Sequence, residues 1–424
     1  MNVQKYSEIE EINKVRNQLI YKELLSQDVS LIESDALDSD FILNMGPQHP
    51  ATHGVLRLAL RIDGETVINV VPELGYLHRG YEKLAENVTY HEFIPHTDRL
   101  DYISPMANNV AITLAFDNAI GIEAPPRAQW IRVLVSELTR ISSHLMAMGS
   151  TCLDIGAMTV FLWTFVEREK LYDIFQEICG ARYTTSYARI GGVANDISDE
   201  TLQMIKKWAI EFPDNLKKSE KLIHRNRIFI DRLAGIGILE PEKAIQLGAT
   251  GPVLRGSGIP RDLRRDEPYM VYDQLDFNVI TEDGCDSWGR YMVRIKEMYE
   301  SQKIILQILD KMPKGEIIAN EPKATLPRKK EIYTRMEELI HDFMLINYGA
   351  VPPIGETYTA VEAAKGELGF LVVSDGTGSP WKLKMHSPST CNLQTLPYMV
   401  KGSMIADTVV IIGSIDPIMG EADK

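Results

Sequence analysis

The stretch Pro125–Gly149, PPRAQWIRVLVSELTRISSHLMAMG, is the clearest structural signal in the chain. Two prolines open it, and proline is well tolerated in the first turn of a helix. Its apolar residues then recur at helical spacing and form one stripe: Ile131, Leu134, Val135, Leu138, Ile141, Leu145 and Met148. The pattern predicts a long helix that ends at Gly149.

Three further segments have the same helical pattern. They cover residues 161–179, which Gly180 ends, and residues 200–223 and 288–311. Their apolar faces are broad, which is typical of helices packed in a bundle and not of single surface helices. The sequence therefore predicts a central helical bundle.

Two β-hairpins are predicted at the edges of this bundle. In the first, apolar residues alternate with polar ones over 56–62, Asp63-Gly64 makes the turn, and 67–71 return. The second pairs residues 370–373 with 381–385. The predicted fold class is thus α+β and mainly helical, with small antiparallel hairpins.

The first 40 residues differ from the rest because they are rich in Asp and Glu. Residues 6–26 fit an amphipathic helix, and 27–40 fit a linker. The apolar face of that helix is expected to comprise Ile9, Ile12, Val15, Leu19 and Leu24. We therefore expect two regions, an acidic helix and linker over 1–40 and one large domain over 41–424.

Charge and hydropathy exclude two classes of function. The 424 residues carry 45 Lys+Arg against 59 Asp+Glu, a formal charge of −14, which disfavours nucleic-acid binding. The longest uncharged run, Tyr102–Phe116, is shorter than the roughly 20 apolar residues of a spanning helix. Neither a signal core nor a basic transit peptide opens the chain, so we expect a bacterial cytoplasmic location without a transmembrane helix.

The four cysteines, Cys152, Cys179, Cys285 and Cys391, are widely spaced. Because no C-x-x-C occurs, we expect this chain alone to hold neither an iron–sulfur cluster nor a zinc ribbon. The Gly-rich stretches at 189–193 and 254–260 match no nucleotide-binding motif and are interpreted as turns.

Two short stretches contain residues suited to chemistry. GPQHPATHGV, residues 46–55, holds His49 and His53 on a proline-rich loop that leads into the first hairpin. Without Cys or acidic residues nearby, a zinc site there is disfavoured, and His49 is interpreted as an anchor of the loop. HTDRLDY, residues 96–102, supplies an acid, a base and a phenol, although a capped loop before a helix would also explain it.

Seven strings occur in one order from about Phe41 to the end: NMGPQHPATHGVLRL, GYLHRGYEKL, DRLDY, ARIGGV, GATGPVLRGSGI, GELGFLVVSDG and GSIDPIMGE. Together they resemble the D-subunit family of the proton-pumping NADH–quinone oxidoreductase, respiratory complex I. That family is itself similar to the large subunit of nickel–iron hydrogenases, so the resemblance implies a hydrogenase-like helical fold.

The resemblance to hydrogenases implies a metal site that has been emptied. The four hydrogenase cysteines fall on Asp101, Ser104, Ile418 and Glu421 of this sequence. A nickel–iron centre needs soft thiolate ligands, and none stands at these positions. We expect no metal here, and the family uses the vacated region for a quinone headgroup.

The family's quinone ligands fall on His53 and Tyr102, which can protonate opposite carbonyl oxygens of the ring. Asp101 falls on the position expected to pair with His53 and to favour its imidazolium form. Asp154 matches an acid near the quinone cavity and is a candidate for proton coupling, although a capping role is the alternative. His53, Tyr102 and Asp101 are thus the expected catalytic residues.

The resemblance also implies partners. The terminal [4Fe-4S] cluster belongs to the neighbouring B subunit, and Arg79 matches an arginine that lies against it and tunes it. An interface salt bridge is the other interpretation of Arg79. The B, C and I subunits and the membrane-embedded H subunit are the expected neighbours, with this chain peripheral on the cytoplasmic side of the bacterial inner membrane.

Two positions depart from the family pattern. Thr184 stands where many members have a histidine near the cluster, so proton-coupled tuning from that position is not expected. His386 replaces a usual arginine and is interpreted as a surface or interface adjustment. Two other functions stay open at this point: a hydrogenase large subunit, which the missing thiolates oppose, and a structural scaffold subunit of a related membrane-bound hydrogenase-like complex.

Overall fold

The computed structural model of the chain describes residues 18–20 and 40–424. The described part is mainly helical with small antiparallel sheets, so the predicted α+β class is confirmed. Its helices are α1 (Tyr81–Ala85), α2 (Tyr90–Thr97), α3 (Pro105–Ile120), α4 (Pro126–Asp154), α5 (Met158–Cys179), α6 (Asp199–Ile223), α7 (Arg227–Asp231), α8 (Pro241–Gln246), α9 (Gly251–Arg255), α10 (Leu263–Asp266), α11 (Ser287–Lys311), α12 (Lys329–Ile332), α13 (Met336–Tyr348), α14 (Pro388–Leu393), α15 (Leu396–Val400), α16 (Ile405–Ile415) and α17 (Met419–Ala422), with short 3-10 turns at Pro50–Thr52 and Tyr272–Gln274.

The strands form three antiparallel sheets within the described residues, in the orders β1-β2-β3, β4-β5 and β6-β7-β8. They are β1 (Asp40–Met45), β2 (Arg57–Asp63), β3 (Thr66–Glu73), β4 (Ala188–Arg189), β5 (Gly192–Val193), β6 (Gly355–Ala363), β7 (Gly366–Ser374) and β8 (Lys382–His386).

Helices α4, α5, α6 and α11 form a four-helix bundle in which each helix packs against two others. All four correspond to segments with predicted helical periodicity, so the bundle is confirmed. The buried stripe of α4 forms its centre: Ile131, Leu134, Val135, Leu138, Ile141, Leu145 and Met148 are at most 1% exposed.

The predicted end of α4 at Gly149 is wrong, because the helix continues to Asp154. Gly149 is instead a point of close approach to α5. A Cβ at this position would lie 2.5 Å from Thr164 Oγ1. The glycine therefore permits two helices to pack and does not stop one, and the extra turn carries Asp154 toward the site described below.

The first sheet contains the predicted hairpin, with Leu60 paired to Val70 across β2 and β3. The two-residue turn is one position later than predicted, since Asp63 pairs with Thr66 and Gly64-Glu65 form the loop. Strand β1 was not predicted and adds to the other edge of β2.

The C-terminal hairpin is confirmed, with Phe370 opposite Met385 and Val372 opposite Leu383. Strand β6 was not predicted. Its first half is largely exposed and lacks the alternation that identifies a half-buried strand. The turn between β6 and β7 consists of Ala364 and Lys365.

The acidic N-terminal region lies mostly outside the described residues. Residues 18–20 are helical, in agreement with the predicted helix. Ile20 packs against Ala59 of β2, whereas Leu19, expected on the apolar face, is 62% exposed. Of the described residues, Ile20 and not the predicted Leu19 packs against the sheet, and the domain boundary at residue 41 stays a prediction.

A buried ion network joins the bundle to the C-terminal sheet. Arg255 of α9 lies 2.7 Å from Glu297 of α11 and 2.8 Å from Glu362 of β6. Arg264 pairs with Glu137 of α4 in the same interior. Because burying an unpaired charge is costly, these reciprocal pairs fix how α4, α11 and β6 pack.

Helix α16 connects the bundle to the first sheet. It packs against α4 and α11 on one side and against the turn Pro50–Thr52 on another. Since this turn precedes His53, α16 brings the histidine loop beside the C-terminal end of α4.

Candidate functional site

The loop at residues 46–55 gives its two histidines different roles. His49 precedes a 3-10 turn and accepts a hydrogen bond on Nδ1 from the backbone N–H of Ala51 at 3.2 Å. Thr52 donates its hydroxyl to the His49 carbonyl at 2.8 Å. These bonds close the loop on itself, and the prediction that His49 is an anchor is confirmed.

His53 ends this turn with a left-handed backbone, at φ 50°. Residues other than glycine rarely adopt this conformation, although histidine does so more readily than most. The ring donates from Nε2 to Oδ2 of Asp154 over 2.9 Å, and the two side chains are 12% and 13% exposed. Nδ1 makes no hydrogen bond to the described residues, so it is the nitrogen left for a ligand.

The predicted pairing of His53 with Asp101 is therefore wrong. Asp154 takes that role because α4 runs to residue 154 and delivers its last carboxylate to the histidine loop. Asp101 faces another charge, since its Oδ2 lies 3.4 Å from Nζ of Lys365. The alternative capping role for Asp154 is not observed, because its carboxylate bonds a side chain 101 residues away.

Burial and charge oppose each other at His53. Burial lowers the pKa of the imidazole. The hydrogen bond and negative charge of Asp154, with a contribution from Asp416, together raise it by more than burial lowers it. The net pKa lies above the ordinary value of 6.5. Its imidazolium form therefore persists to higher pH than that of a free histidine.

Tyr102 lies half-buried in the loop between α2 and α3. Burial raises the pKa of its hydroxyl, the charges of Asp101 and Asp416 raise it further, and Lys365 and Arg79 lower it. The net direction is upward from 10, so Tyr102 keeps its proton at neutral pH. His53 and Tyr102 thus both retain a proton and both experience the charge of Asp416.

Helix α16 fits closely against the histidine–aspartate pair. A Cβ on Gly413 would lie 2.9 Å from Asp154 Oδ2 and 3.4 Å from His53 Nε2. Thr151 of α4 also donates to the Gly413 carbonyl at 3.4 Å. The pair is therefore held between two helices, with no space for a side chain at position 413.

Lys365 is a site residue that the sequence reasoning missed. It occupies the β6–β7 turn, is 3% exposed, and lies 3.1 Å from Asp416 Oδ2. The available signal was the lysine in the turn of AVEAAKG, between two mainly apolar strands, where a hairpin tip would ordinarily face water. Asp416 was also missed as a site residue, because a turn before proline explains an aspartate equally well.

The four positions predicted to match hydrogenase cysteines are all buried: Asp101, Ser104, Ile418 and Glu421. Glu421 accepts hydrogen bonds from the backbone N–H and the hydroxyl of Ser389. Burial and the charge of Asp101 raise the pKa of Glu421 to about 7. Among residues 18–20 and 40–424, no three His, Cys, Asp or Glu side chains are grouped as metal ligands.

Arg79 is exposed beside this region. Its Nη2 donates to the Arg99 carbonyl at 2.7 Å, and its guanidinium lies 4.6 Å from the Tyr81 ring centroid. In the part of the chain that the structure describes, it forms no ion pair with a carboxylate. The charge of Arg79 also acts on Tyr102. The cluster-tuning role and the interface salt bridge both stay predictions.

The two departures from the family pattern have different surroundings. Thr184 is exposed after α5, next to Tyr183. His386 is half-buried and accepts a weak hydrogen bond on Nε2 from the Cys391 thiol at 3.4 Å. The interpretation of His386 as a surface or interface adjustment stays a prediction. All four cysteines are free, and of the four only Cys152 is fully buried.

The helices of the described residues include none with the length and apolar character needed to cross a bilayer. The fold and site define a mainly helical α+β protein with a buried, carboxylate-rich centre beside two proton-bearing side chains. Residues 154–424 match the family model described as the respiratory-chain NADH dehydrogenase, 49 Kd subunit. The chain belongs to this family, and the resemblance drawn from the seven strings is confirmed.

Curated relatives are similar in sequence to this chain over nearly its whole length. One of the NADH-quinone oxidoreductase D subunits of Chloroherpeton thalassium is 55% identical over 97% of this chain and 94% of its own. The D subunit from Salinibacter ruber is 52% identical over 92% of this chain and 87% of its own. One of the D subunits from Koribacter versatilis is 49% identical over 91% and 96%, respectively.

Proposed function

We propose that this chain is the peripheral-arm subunit of a proton-pumping NADH–quinone oxidoreductase that forms the quinone headgroup site. The observation that carries the proposal is that one C-terminal segment contacts the loops of both candidate donors. A Cβ on Gly413 would lie 3.4 Å from His53 Nε2, and a Cβ on Gly420 would meet the Leu100 carbonyl, two residues before Tyr102. The names of relatives such as the Chloroherpeton thalassium protein support the overall reaction.

Reduction of a quinone to a quinol takes two electrons and two protons. Two donors at opposite carbonyl oxygens orient the ring, and each supplies one proton as negative charge develops on its oxygen. In this proposal Nδ1 of His53 serves one carbonyl oxygen and the Tyr102 hydroxyl serves the other. The residues then recover their protons from water or from neighbouring groups.

The two donors are matched to this task in different ways. Asp154 keeps His53 oriented through Nε2 and supports its imidazolium, which is the form able to donate from Nδ1. Tyr102 is neutral at pH 7, and its hydroxyl releases a proton only to a strongly basic oxygen. Asp154 is thus proposed to act on the histidine side and Asp101 on the tyrosine side.

The electrons are proposed to come from outside this chain. Cys152, Cys179, Cys285 and Cys391 include no C-x-x-C pair, so a partner must hold the donor cluster. We propose the terminal [4Fe-4S] cluster of the B subunit, with Arg79 facing it. A fixed positive charge beside a cluster favours its reduced form and so raises its potential.

The same proposal defines the surroundings of the chain. Its fold is hydrogenase-large-subunit-like, with the metal ligands replaced by Asp101, Ser104, Ile418 and Glu421. Its neighbours are the B, C and I subunits and the membrane-embedded H subunit, and it lies on the cytoplasmic side of the bacterial inner membrane. A structural scaffold without a quinone site is the alternative that an experiment must separate.

Tyr102→Phe in the assembled complex tests this proposal. The variant loses one hydroxyl and almost no volume, so assembly on a native gel should be unchanged. Loss of a donor to a developing oxyanion lowers rates roughly a hundredfold or more. Quinone reductase activity should fall by that factor, whereas NADH oxidation with an acceptor that takes electrons upstream should be unchanged.

Tyr398→Phe is the matched control, because it removes the same hydroxyl from a tyrosine bonded to Glu240 outside the site. It should leave both activities unchanged. Normal quinone reductase activity in an assembled Tyr102→Phe complex would contradict the proposed donor role and favour the scaffold.

A further inference from the structure

The β6–β7 turn directs a lysine into the protein and not toward water. Gly366 packs so closely that an added Cβ would lie 2.3 Å from Thr250 Oγ1. Asn392 donates its side-chain amide to the Lys365 carbonyl at 3.2 Å. Contacts with Thr250 and Asn392 thus fix the turn, and the Lys365 side chain inside it is buried, at 3% exposure. A lone ammonium in that position would be costly, so its partners matter.

The Lys365 ammonium contacts one group from each of three separate segments. Nζ donates to Ser143 Oγ on α4 at 2.9 Å, and it lies 3.1 Å from Asp416 Oδ2 and 3.4 Å from Asp101 Oδ2. Burial lowers the pKa of Lys365, but Asp101, Asp416 and Glu421 raise it above its ordinary value. The lysine therefore remains charged and does not itself donate a proton at neutral pH.

The two carboxylates that Lys365 joins belong to opposite sides of the quinone site. Asp101 precedes Tyr102, and its charge makes the largest contribution of any charged group to the raised pKa of the Tyr102 hydroxyl. Asp416 follows α16 and acts on both Tyr102 and His53. The charged groups facing Tyr102 are Asp101, Lys365, Asp416 and Arg79, and those facing His53 are Asp154 and Asp416. Lys365 contacts Asp101, which acts on Tyr102, and Asp416, which acts on both donors.

We propose that Lys365 is a positioning residue that holds the side chains of Asp101 and Asp416 between Tyr102 and His53 and offsets their negative charge. This inference rests on the proposed quinone site and extends it to a residue that does not touch the substrate. The lysine compensates the carboxylates, so the two donors release their protons to the quinone more readily than the carboxylates alone would permit.

Glu421 has a related place in this cluster. It faces Asp101, Lys365 and Ser389, and burial with the Asp101 charge gives it a pKa of about 7. Three carboxylates and one ammonium would leave two negative charges in a buried region. A proton on Glu421 removes one of them, which is a physical reason why this acid titrates so high.

Removal of the Lys365 ammonium should shift the pH profile of quinone reduction to higher pH. In Lys365→Met, the donors Tyr102 and His53 hold their protons more tightly, because a nearby charge shifts pKa values by about one to three units. The alkaline limb of kcat for quinone reduction should therefore move to higher pH by at least about one unit. Lys365→Arg keeps the charge and should return the limb close to its original position.

Asp416→Asn provides a variant of opposite sign that preserves the lysine. Loss of that carboxylate lowers the pKa of both His53 and Tyr102, so the alkaline limb should move to lower pH. Lys206→Met is the control, since it removes one lysine charge from a surface pair with Asp310. It should leave the profile in place. All profiles are measured in complexes whose assembly and upstream NADH oxidation have been checked.

A structural role alone would lower assembly or kcat at every pH without moving the profile. An unmoved alkaline limb in Lys365→Met overturns the inference, and if that variant does not assemble, an unmoved limb in Asp416→Asn overturns it instead. Either result leaves the quinone site intact provided that Tyr102→Phe still lowers quinone reduction by the predicted factor. Normal activity in Tyr102→Phe would remove the proposed function itself.

Discussion

His53 is constrained in two ways that a solvent-exposed histidine is not. Its backbone is left-handed, and its Nε2–H is bonded to Asp154, so one nitrogen is fixed and the other is directed elsewhere. The hydrogen-bonded loop around His49 and Thr52 maintains this conformation. Strain of this kind persists where surrounding structure determines it, and it is concentrated at functional sites.

Asp154→Asn should lower the proton affinity of His53. The amide cannot supply the negative charge that offsets burial, so the folded-state pKa should fall from above 6.5. The alkaline limb of quinone reduction should therefore move to lower pH, with about a tenfold loss at pH 8 and a smaller one at pH 6. A profile measured from pH 5 to 9 in assembled complexes checks this, and an unmoved limb would contradict the role of Asp154.

The same pair makes a defined contribution to stability. Because the folded-state pKa of His53 is raised, the pair stabilises the fold fully below about pH 6.5 and loses that effect as pH rises through the raised value. Destabilisation by Asp154→Asn should therefore be larger at pH 6 than at pH 9, as measured by chemical denaturation.

At the scale of single elements, helix α16 determines the geometry of the donor side. It lies on α4, on α11 and on the turn before His53. Gly413 stands where any side chain would enter the space of Asp154 and His53. The absence of a side chain at Gly413 thus allows α16 to pack directly against the hydrogen-bonded pair of His53 and Asp154.

Gly413→Ala should disturb the site without unfolding the chain. Alanine favours a helix interior over glycine by about 1 kcal/mol, so stability should be preserved or slightly raised. The new methyl group must displace Asp154 Oδ2, which it would approach to 2.9 Å. Quinone reduction should fall about tenfold relative to upstream NADH oxidation. Val409→Ala, one turn earlier on α16, serves as the control and should leave the ratio of quinone reduction to upstream NADH oxidation unchanged. The same unchanged ratio in Gly413→Ala would show that the contact between position 413 and Asp154 is unimportant for the reaction.

The helices of the bundle could be predicted because each has a continuous apolar stripe. Residues 126–148 identify α4 through local spacing alone, and so do the segments of α5, α6 and α11. Gly149 was misinterpreted because a glycine that ends a helix and one that admits a neighbouring helix look the same in sequence. Strands β1 and β6 were missed because they pair with predicted strands but have weak alternation of their own.

At the scale of the whole molecule, the site draws on segments far apart in the sequence. Each of five segments contributes one charged or proton-bearing side chain: the histidine loop, the residue before Tyr102, the end of α4, the β6–β7 turn and the segment after α16. His53 and Tyr102 were predicted through resemblance to a family. The partners Asp154, Asp416 and Lys365 depend on tertiary contacts, so no local pattern identifies which carboxylate meets which base.

The location of a bound quinone headgroup in the assembled complex tests the central claim most directly. In a cryo-electron microscopy structure with quinone bound, the account predicts one carbonyl oxygen about 2.7–3.2 Å from His53 Nδ1. The other should lie about 2.5–3.0 Å from the Tyr102 hydroxyl. Asp154 should remain on His53 Nε2. A headgroup bound away from both side chains, while the complex turns over normally, would contradict the account.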